Sequence, residues 1–91
     1  MFVLVSYDIE KDRTRTRLSK KLADFGPRVQ YSVFEGDITK SEMERLLEVL
    51  AKVSLGENDS IRMYTLCKEC KSNIKLWGKG EITEDKEYYI V

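Results

Sequence analysis

A chain of 91 residues is one domain with room for a modest core and no room for two. Its 42% hydrophobic content and clear periodicities indicate a folded protein despite 35% charge. Sixteen basic and sixteen acidic residues cancel, so any hold on a polyanion must come from local clusters and not from a global positive field.

Phe2 to Ser6 is a short apolar run rich in β-branched residues and predicts a buried strand. Asp8 and Glu10 interrupt it too early for a signal peptide, and no stretch reaches membrane-spanning length. A cytoplasmic protein with no membrane contact is therefore expected. Asp12 is placed to cap a helix whose Arg15, Leu18, Leu22 and Phe25 share one stripe. Gly26-Pro27 should stop it, glycine as a left-handed cap and proline as a residue that cannot continue a helix.

Residues 28–36 alternate as a strand, with Val29, Tyr31 and Val33 on one side and Arg28, Gln30, Ser32 and Phe34 on the other. Thr39 with Glu42 reads as a capping box. It opens a helix whose inner face is Met43, Leu46, Leu47, Leu50 and Val53. Gly56 to Asp59 is a turn, and Ser60 to Leu66 a third strand. Ile74 to Trp77 is read as a short strand, and Tyr88 to Val91, beyond a charged loop, as a C-terminal one.

This order predicts a single α+β domain over residues 1–91, a ferredoxin-like βαββαβ sandwich with an extra C-terminal strand. The pattern wants two strands between the helices, yet residues 28–38 can supply only a bent strand or two very short ones. The first strand is apolar on both sides, Val3 and Val5 on one and Phe2 and Leu4 on the other. Two helices cover one face of such a sheet, so the second face predicts a homodimer. The terminal strand could pair with an edge of the partner, or fold over the open face instead.

The chain has no histidine, which removes the commonest general base and metal ligand. Catalysis would have to use carboxylates, arginine, lysine, tyrosine or a metal held through oxygen. By alternation Asp8 lies on the side of Phe2, Leu4 and Ser6. If that side is the dimer face, two copies of Asp8 approach the twofold axis and need a proton or a cation between them. Mg²⁺ fits, since it takes oxygen ligands, keeps waters and bridges to phosphate. A loop or helix cap is the commoner role for a lone strand-end aspartate. Glu10, Asp12, Glu35 and Asp37 are further carboxylates for such an ion, although loop and cap roles explain them equally.

Charge is segregated along the chain. Lys11, Arg13, Arg15, Arg17, Lys20, Lys21 and Arg28 against Asp12 and Asp24 leave residues 11–28 at +5. Glu35, Asp37, Glu42, Glu44 and Glu48 against Lys40 and Arg45 leave residues 35–48 at −3. Arg13, Arg17 and Lys21 share a helix face that could follow a phosphate backbone, although a solvated face is the commoner reading. Arg15, close to where Asp8 leaves the sheet, could clamp a phosphate or pair with a carboxylate. Tyr7 and Phe34 could stack on bases, or serve as core aromatics. Cys67-Lys68-Glu69-Cys70 is a single C-x-x-C, too few ligands for structural zinc unless two chains combine and without the βαβ context of thioredoxin-like chemistry, and reads as a turn with two buried thiols.

Tyr7-Asp8-Ile9, followed about twenty residues on by Arg28-Val29-Gln30-Tyr31-Ser32-Val33-Phe34-Glu35, resembles the small CRISPR-associated endoribonuclease family, the "Cas two" proteins. The likeness runs from the first strand through the third and weakens beyond residue 70. It implies a ferredoxin-like homodimer with a metal-binding catalytic aspartate, here Asp8, and Mg²⁺ as cofactor. It implies substrate contact for Tyr7, Arg15, Arg17, Arg28, Ser32 and Phe34. Family members divide between metal-dependent nucleases on single-stranded RNA or double-stranded DNA and non-catalytic dimers that bridge Cas one integrase during spacer acquisition. A third reading, a ferredoxin-like regulatory or RNA-binding module, lacks the aromatic pattern of an RRM.

Overall fold

A computed structural model describes residues 1–78. The elements are β1 (Phe2–Asp8), α1 (Asp12–Leu22), β2 (Arg28–Gln30), β3 (Val33–Asp37), α2 (Lys40–Ala51), β4 (Ser60–Leu66) and a short α3 (Lys68–Ser72). The four strands form one sheet in the order β2-β3-β1-β4, and every pairing is antiparallel. This is the βαββαβ arrangement of the ferredoxin-like fold, with β1 in the interior of the sheet.

The strand read as continuous over residues 28–36 is a hairpin. Tyr31 and Ser32 form its turn, and the ladder slips between Arg28 and Gln30, so the uniform alternation breaks there. Val33 therefore pairs with Ser6, and Phe34 with Val5. The two very short strands supply the pair that the fold requires.

One face of the sheet carries the core. Val3, Val5 and Tyr7 of β1 and Phe34 of β3 pack with Leu18 and Leu22 of α1 and Leu46 of α2. Leu18, Leu22, Leu46 and Val5 are the largest fully buried side chains. Met43, Val49, Leu50 and Val53 complete the inner side of α2. Leu47, expected there, stands 47% exposed. At about 100° per residue it falls on the flank opposite Val49, outside the stripe of 43, 46, 50 and 53.

α1 ends at Leu22, a turn before the expected stop, and Lys11 rather than Asp12 is its N-cap residue, with no side-chain cap. α2 has the expected cap. Thr39 Oγ1 accepts from the Glu42 amide at 3.2 Å, and Glu42 Oε1 accepts from the Thr39 amide at 3.0 Å. Gly26 is not a left-handed cap, since Gly78 is the glycine with positive φ among the described residues. It is needed for a close crossing instead. A Cβ on Gly26 would overlap the Glu35 carbonyl oxygen, and one on Gly36 would stand 2.6 Å from the Phe25 carbonyl oxygen. Two backbones thus meet where the α1–β2 connection lies on β3, held by the Glu35 amide donating to the Pro27 carbonyl at 3.2 Å.

The other face carries Phe2, Leu4, Ser6 and Asp8 of β1, flanked by Asp37, Glu35 and Val33 of β3 and by Leu66, Tyr64, Arg62 and Ser60 of β4. It is graded and not uniformly apolar. Phe2, Leu4, Tyr64 and Leu66 gather at one end, bordered on β3 by Asp37 and Glu35, while Ser6, Arg62, Ser60 and Asp8 lie at the other with Val33. Residues 74–77 form no strand. The expected C-terminal strand, Tyr88–Val91, lies outside the described residues.

Candidate functional site

Asp8 closes β1 on the open face, exposed and paired across the ladder with Ser60 at the start of β4. Because β1 is interior, its end lies among three connections: the β1–α1 loop, the β2–β3 turn and the α2–β4 turn. Hydrogen bonds tie one of them to β1 and the other two to each other. The Tyr7 amide donates to the Ser32 carbonyl at 3.1 Å, which fixes the β2–β3 turn against β1. The Glu10 amide donates to Asp59 Oδ1 at 2.9 Å. The Gly56 amide donates to Asp59 Oδ2 at 2.8 Å, and the Asp59 amide returns to the Gly56 carbonyl at 3.2 Å. The amides of Glu10 and Gly56 hold the Asp59 carboxyl below the usual carboxylate range.

Arg15 braces the same loop from the α1 side. Its Nη1 donates to the Ile9 carbonyl at 2.8 Å and its Nη2 to Asp12 Oδ1. The neighbouring Asp12 carboxylate raises the guanidinium pKa, with a smaller contribution from the Tyr31 hydroxyl. The fork is thereby engaged by its own loop, where it braces the segment that follows Asp8.

The remaining candidates separate. Tyr7 and Phe34 are 4% and 5% exposed and stack on each other, ring centroids 6.3 Å apart, so both rings belong to the core and are closed to a base in this conformation. Ser32 sits in the turn beside the end of β1. Arg28 is exposed on β2, at the sheet edge. Arg17 lines a shallow groove on α1 with Asp12, Arg13, Thr16 and Lys20. Arg13, Arg17 and Lys21 are all exposed on α1. The site thus gathers Asp8, Ser32 and Arg15 at one end of the sheet and leaves Arg17 and Arg28 on its flanks.

The extra carboxylates do not assemble into a cage. Asp12 is paired with Arg15, and Asp37, at the far end of β3, meets the Met1 amino group at 3.2 Å. Among the described residues no three Cys, Asp or Glu side chains are grouped to hold a metal. Cys67 and Cys70 are both exposed, because β4 ends at Leu66 and α3 carries them away from the core, contrary to the expected buried pair.

Asp59 and Tyr31 were missed in the sequence. The signal for Asp59 was a Gly-x-x-Asp turn running straight into a strand, where a carboxylate accepts local amides. Nothing local marked Tyr31, whose position depends on the hairpin.

The family model described as CRISPR associated protein Cas2 matches residues 1–74. The chain belongs to the Cas2 family. It is 40% identical to CRISPR-associated endoribonuclease Cas2 3 of Chloroflexus aurantiacus, covering all of this chain and 98% of that one. It is 36% identical to the protein of the same name from Synechocystis, over 97% of this chain and 96% of the relative. Among solved structures, Streptococcus pyogenes Cas2 superposes with a TM-score of 0.71 at 32% identity, covering 86% of this chain and all of that one. A chain of the partial Cas6-RT-Cas1–Cas2 complex matches with a TM-score of 0.64 at 34% identity, covering 81% of this chain and 87% of its own. No helix of the described residues is long and apolar enough to cross a membrane.

Proposed function

We propose that this Cas2 chain is a metal-dependent endonuclease of the spacer-acquisition machinery. It would hydrolyse phosphodiester bonds of single-stranded RNA, or of double-stranded DNA, at a site shared by two copies. The observation that carries this reading is the position of Asp8: exposed, at the end of β1 on the sheet face opposite the helices, just before a loop that Asp59 and Arg15 brace. The names of the Synechocystis and Chloroflexus relatives, both endoribonucleases, support the chemistry.

The donor set fits Mg²⁺ only when doubled. One chain brings the Asp8 carboxylate there, with no cluster of three Cys, Asp or Glu side chains among its described residues. Two copies joined through the open face would bring a second Asp8, and the two carboxylates would hold the ion with waters as its other ligands. A bound Mg²⁺ supplies Lewis-acid polarisation of a phosphoryl oxygen and a more acidic water. The apolar side chains Leu4, Tyr64 and Leu66 on the open face would give the two copies a surface to bury.

The protein's own part is positional. The Asp59 and Arg15 bonds hold the backbone after Asp8, so its carboxylate keeps one direction. Ser32 stands beside it on the fixed turn. Arg17 with Arg13 and Lys20 on α1, and Arg28 on the sheet edge, meet phosphates along the strand without reading sequence.

A second reading is favoured by the likeness to a chain of the Cas6-RT-Cas1–Cas2 complex. A non-catalytic Cas2 dimer would bridge Cas1 integrase subunits and hold protospacer duplex by its phosphates. Asp8→Ala separates the two when assayed for divalent-dependent cleavage of RNA and DNA, and for spacer integration with the partner integrase. Loss of cleavage with integration intact supports a nuclease activity separable from integration. Absence of wild-type cleavage across several divalent metals and pH values leaves the bridging role.

A further inference from the structure

Cys67 and Cys70 belong neither to the core nor to the Asp8 end of the sheet. Cys67 directly follows β4, and Cys70 lies within α3; both side chains are exposed. The Cys70 amide donates to Cys67 Sγ at 3.4 Å. That bond folds Cys67 Sγ onto the turn that carries Cys70, three positions on, so closing a bond of about 2.05 Å between the two sulfurs asks for rotation within one exposed turn. A metal is the weaker occupant. Structural zinc takes four ligands, the chain holds two cysteines and no histidine, and no third ligand joins them among the described residues.

We propose that Cys67 and Cys70 form a reversible dithiol–disulfide pair that exchanges with small-molecule disulfides of the glutathione type, Cys67 attacking and Cys70 closing the bond. The Cys67 thiolate attacks one sulfur of the small disulfide. A mixed disulfide forms, the small S–S bond breaks, and the departing thiolate takes up a proton. Cys70 then loses its proton to solvent and attacks the Cys67 sulfur, and the second small thiolate leaves and is protonated. Two protein thiols are oxidised to one disulfide while one small disulfide is reduced to two thiols.

The division of roles follows from the turn. The Cys70 amide, and then its thiol, stabilise negative charge on Cys67 and lower its pKa. Cys70, next to the Cys67 sulfur, is pushed the other way. The pair is remote from the proposed nuclease site. β4 pairs Leu66, beside Cys67, with Phe2, and pairs Ser60 with Asp8 at the opposite end of the strand. The inference is thus independent of whether Asp8 cleaves anything.

The test equilibrates the full chain with mixtures of reduced and oxidised glutathione, quenches with acid, alkylates and reads intact mass. The wild type should become lighter by two hydrogens without joining chains, and should revert in excess reduced glutathione. Cys70→Ser should stop at a glutathione adduct on Cys67. Cys67→Ser should acquire its adduct on Cys70 more slowly at neutral pH. Circular dichroism confirms that both variants are folded. Thiols that stay fully alkylatable throughout would overturn the proposal. So would equal adduct rates in the two variants, chain-to-chain disulfides alone, or retained zinc that blocks oxidation.

Discussion

Glu10 and Asp59, 49 positions apart, are joined by a hydrogen bond of 2.9 Å from the Glu10 amide to the Asp59 carboxylate. The same carboxylate accepts from Gly56. One acidic side chain thereby closes the α2–β4 turn and pins the backbone two residues after Asp8. Asp59→Ala should release the Glu10 amide, visible as faster hydrogen exchange at Glu10, with the exchange of β1 residues in mid-sheet little changed. Unaltered exchange at Glu10 would remove Asp59 from the site's support.

The same bond should be pH-dependent. The folded pKa of Asp59 lies below its ordinary value, so its contribution is complete above the unfolded carboxylate pKa, about 3.9. It is lost as pH falls through the lower folded value. Protection of the Glu10 amide should therefore hold at about pH 4 and above and disappear in stronger acid. Loss at a pH clearly above the ordinary carboxylate range would contradict this assignment.

Arg15→Lys keeps the charge and loses the fork that reaches both the Ile9 carbonyl and Asp12. If Arg15 positions the loop and leaves phosphate to other groups, the lysine variant should lower kcat for cleavage while leaving KM and the salt dependence of binding close to wild type. Arg17→Ala should do the reverse, weakening binding and reducing the salt slope by about one.

The sheet, both long helices and the α2 cap were legible because they rest on local chemistry: β-branched runs, leucines at steps of three and four, and Thr39 with Glu42. The hairpin at Tyr31-Ser32 was not. Its slip between Arg28 and Gln30 is set by where β3 must pair with β1, a long-range requirement that an alternating row of side chains conceals. Gly26 was misread for a similar reason. A glycine before proline looks like a helix cap, and the backbone it must clear, at Glu35, is nine positions away. Asp8 stood out at a strand end, where a cap is the commoner role, and the family resemblance is what favoured it as a metal ligand. The bracing of its loop by Arg15 and Asp59 was hidden because a charged side chain looks the same whether it faces a ligand or its own backbone.

The close crossing gives a stability test. Gly26→Ala places a methyl group into the Glu35 carbonyl and should destabilise the fold by about 3 kcal/mol in urea unfolding. Leu46→Ala, at a fully buried position, should cost about 2–5 kcal/mol, and Leu47→Ala, half exposed on the same helix, within about 0.5 kcal/mol. Equal costs at 46 and 47 would mean that the inner face of α2 is misassigned.

The central claim is a divalent ion held between two copies of Asp8. Manganese, in place of magnesium, can be titrated into the protein and counted by electron paramagnetic resonance while sedimentation reports the oligomeric state. One bound ion per two chains is expected in the wild type, with cleavage falling at least about a hundredfold and the ion lost in Asp8→Ala although the dimer persists. One ion per chain, or binding that survives removal of the Asp8 carboxylate, would contradict the shared site.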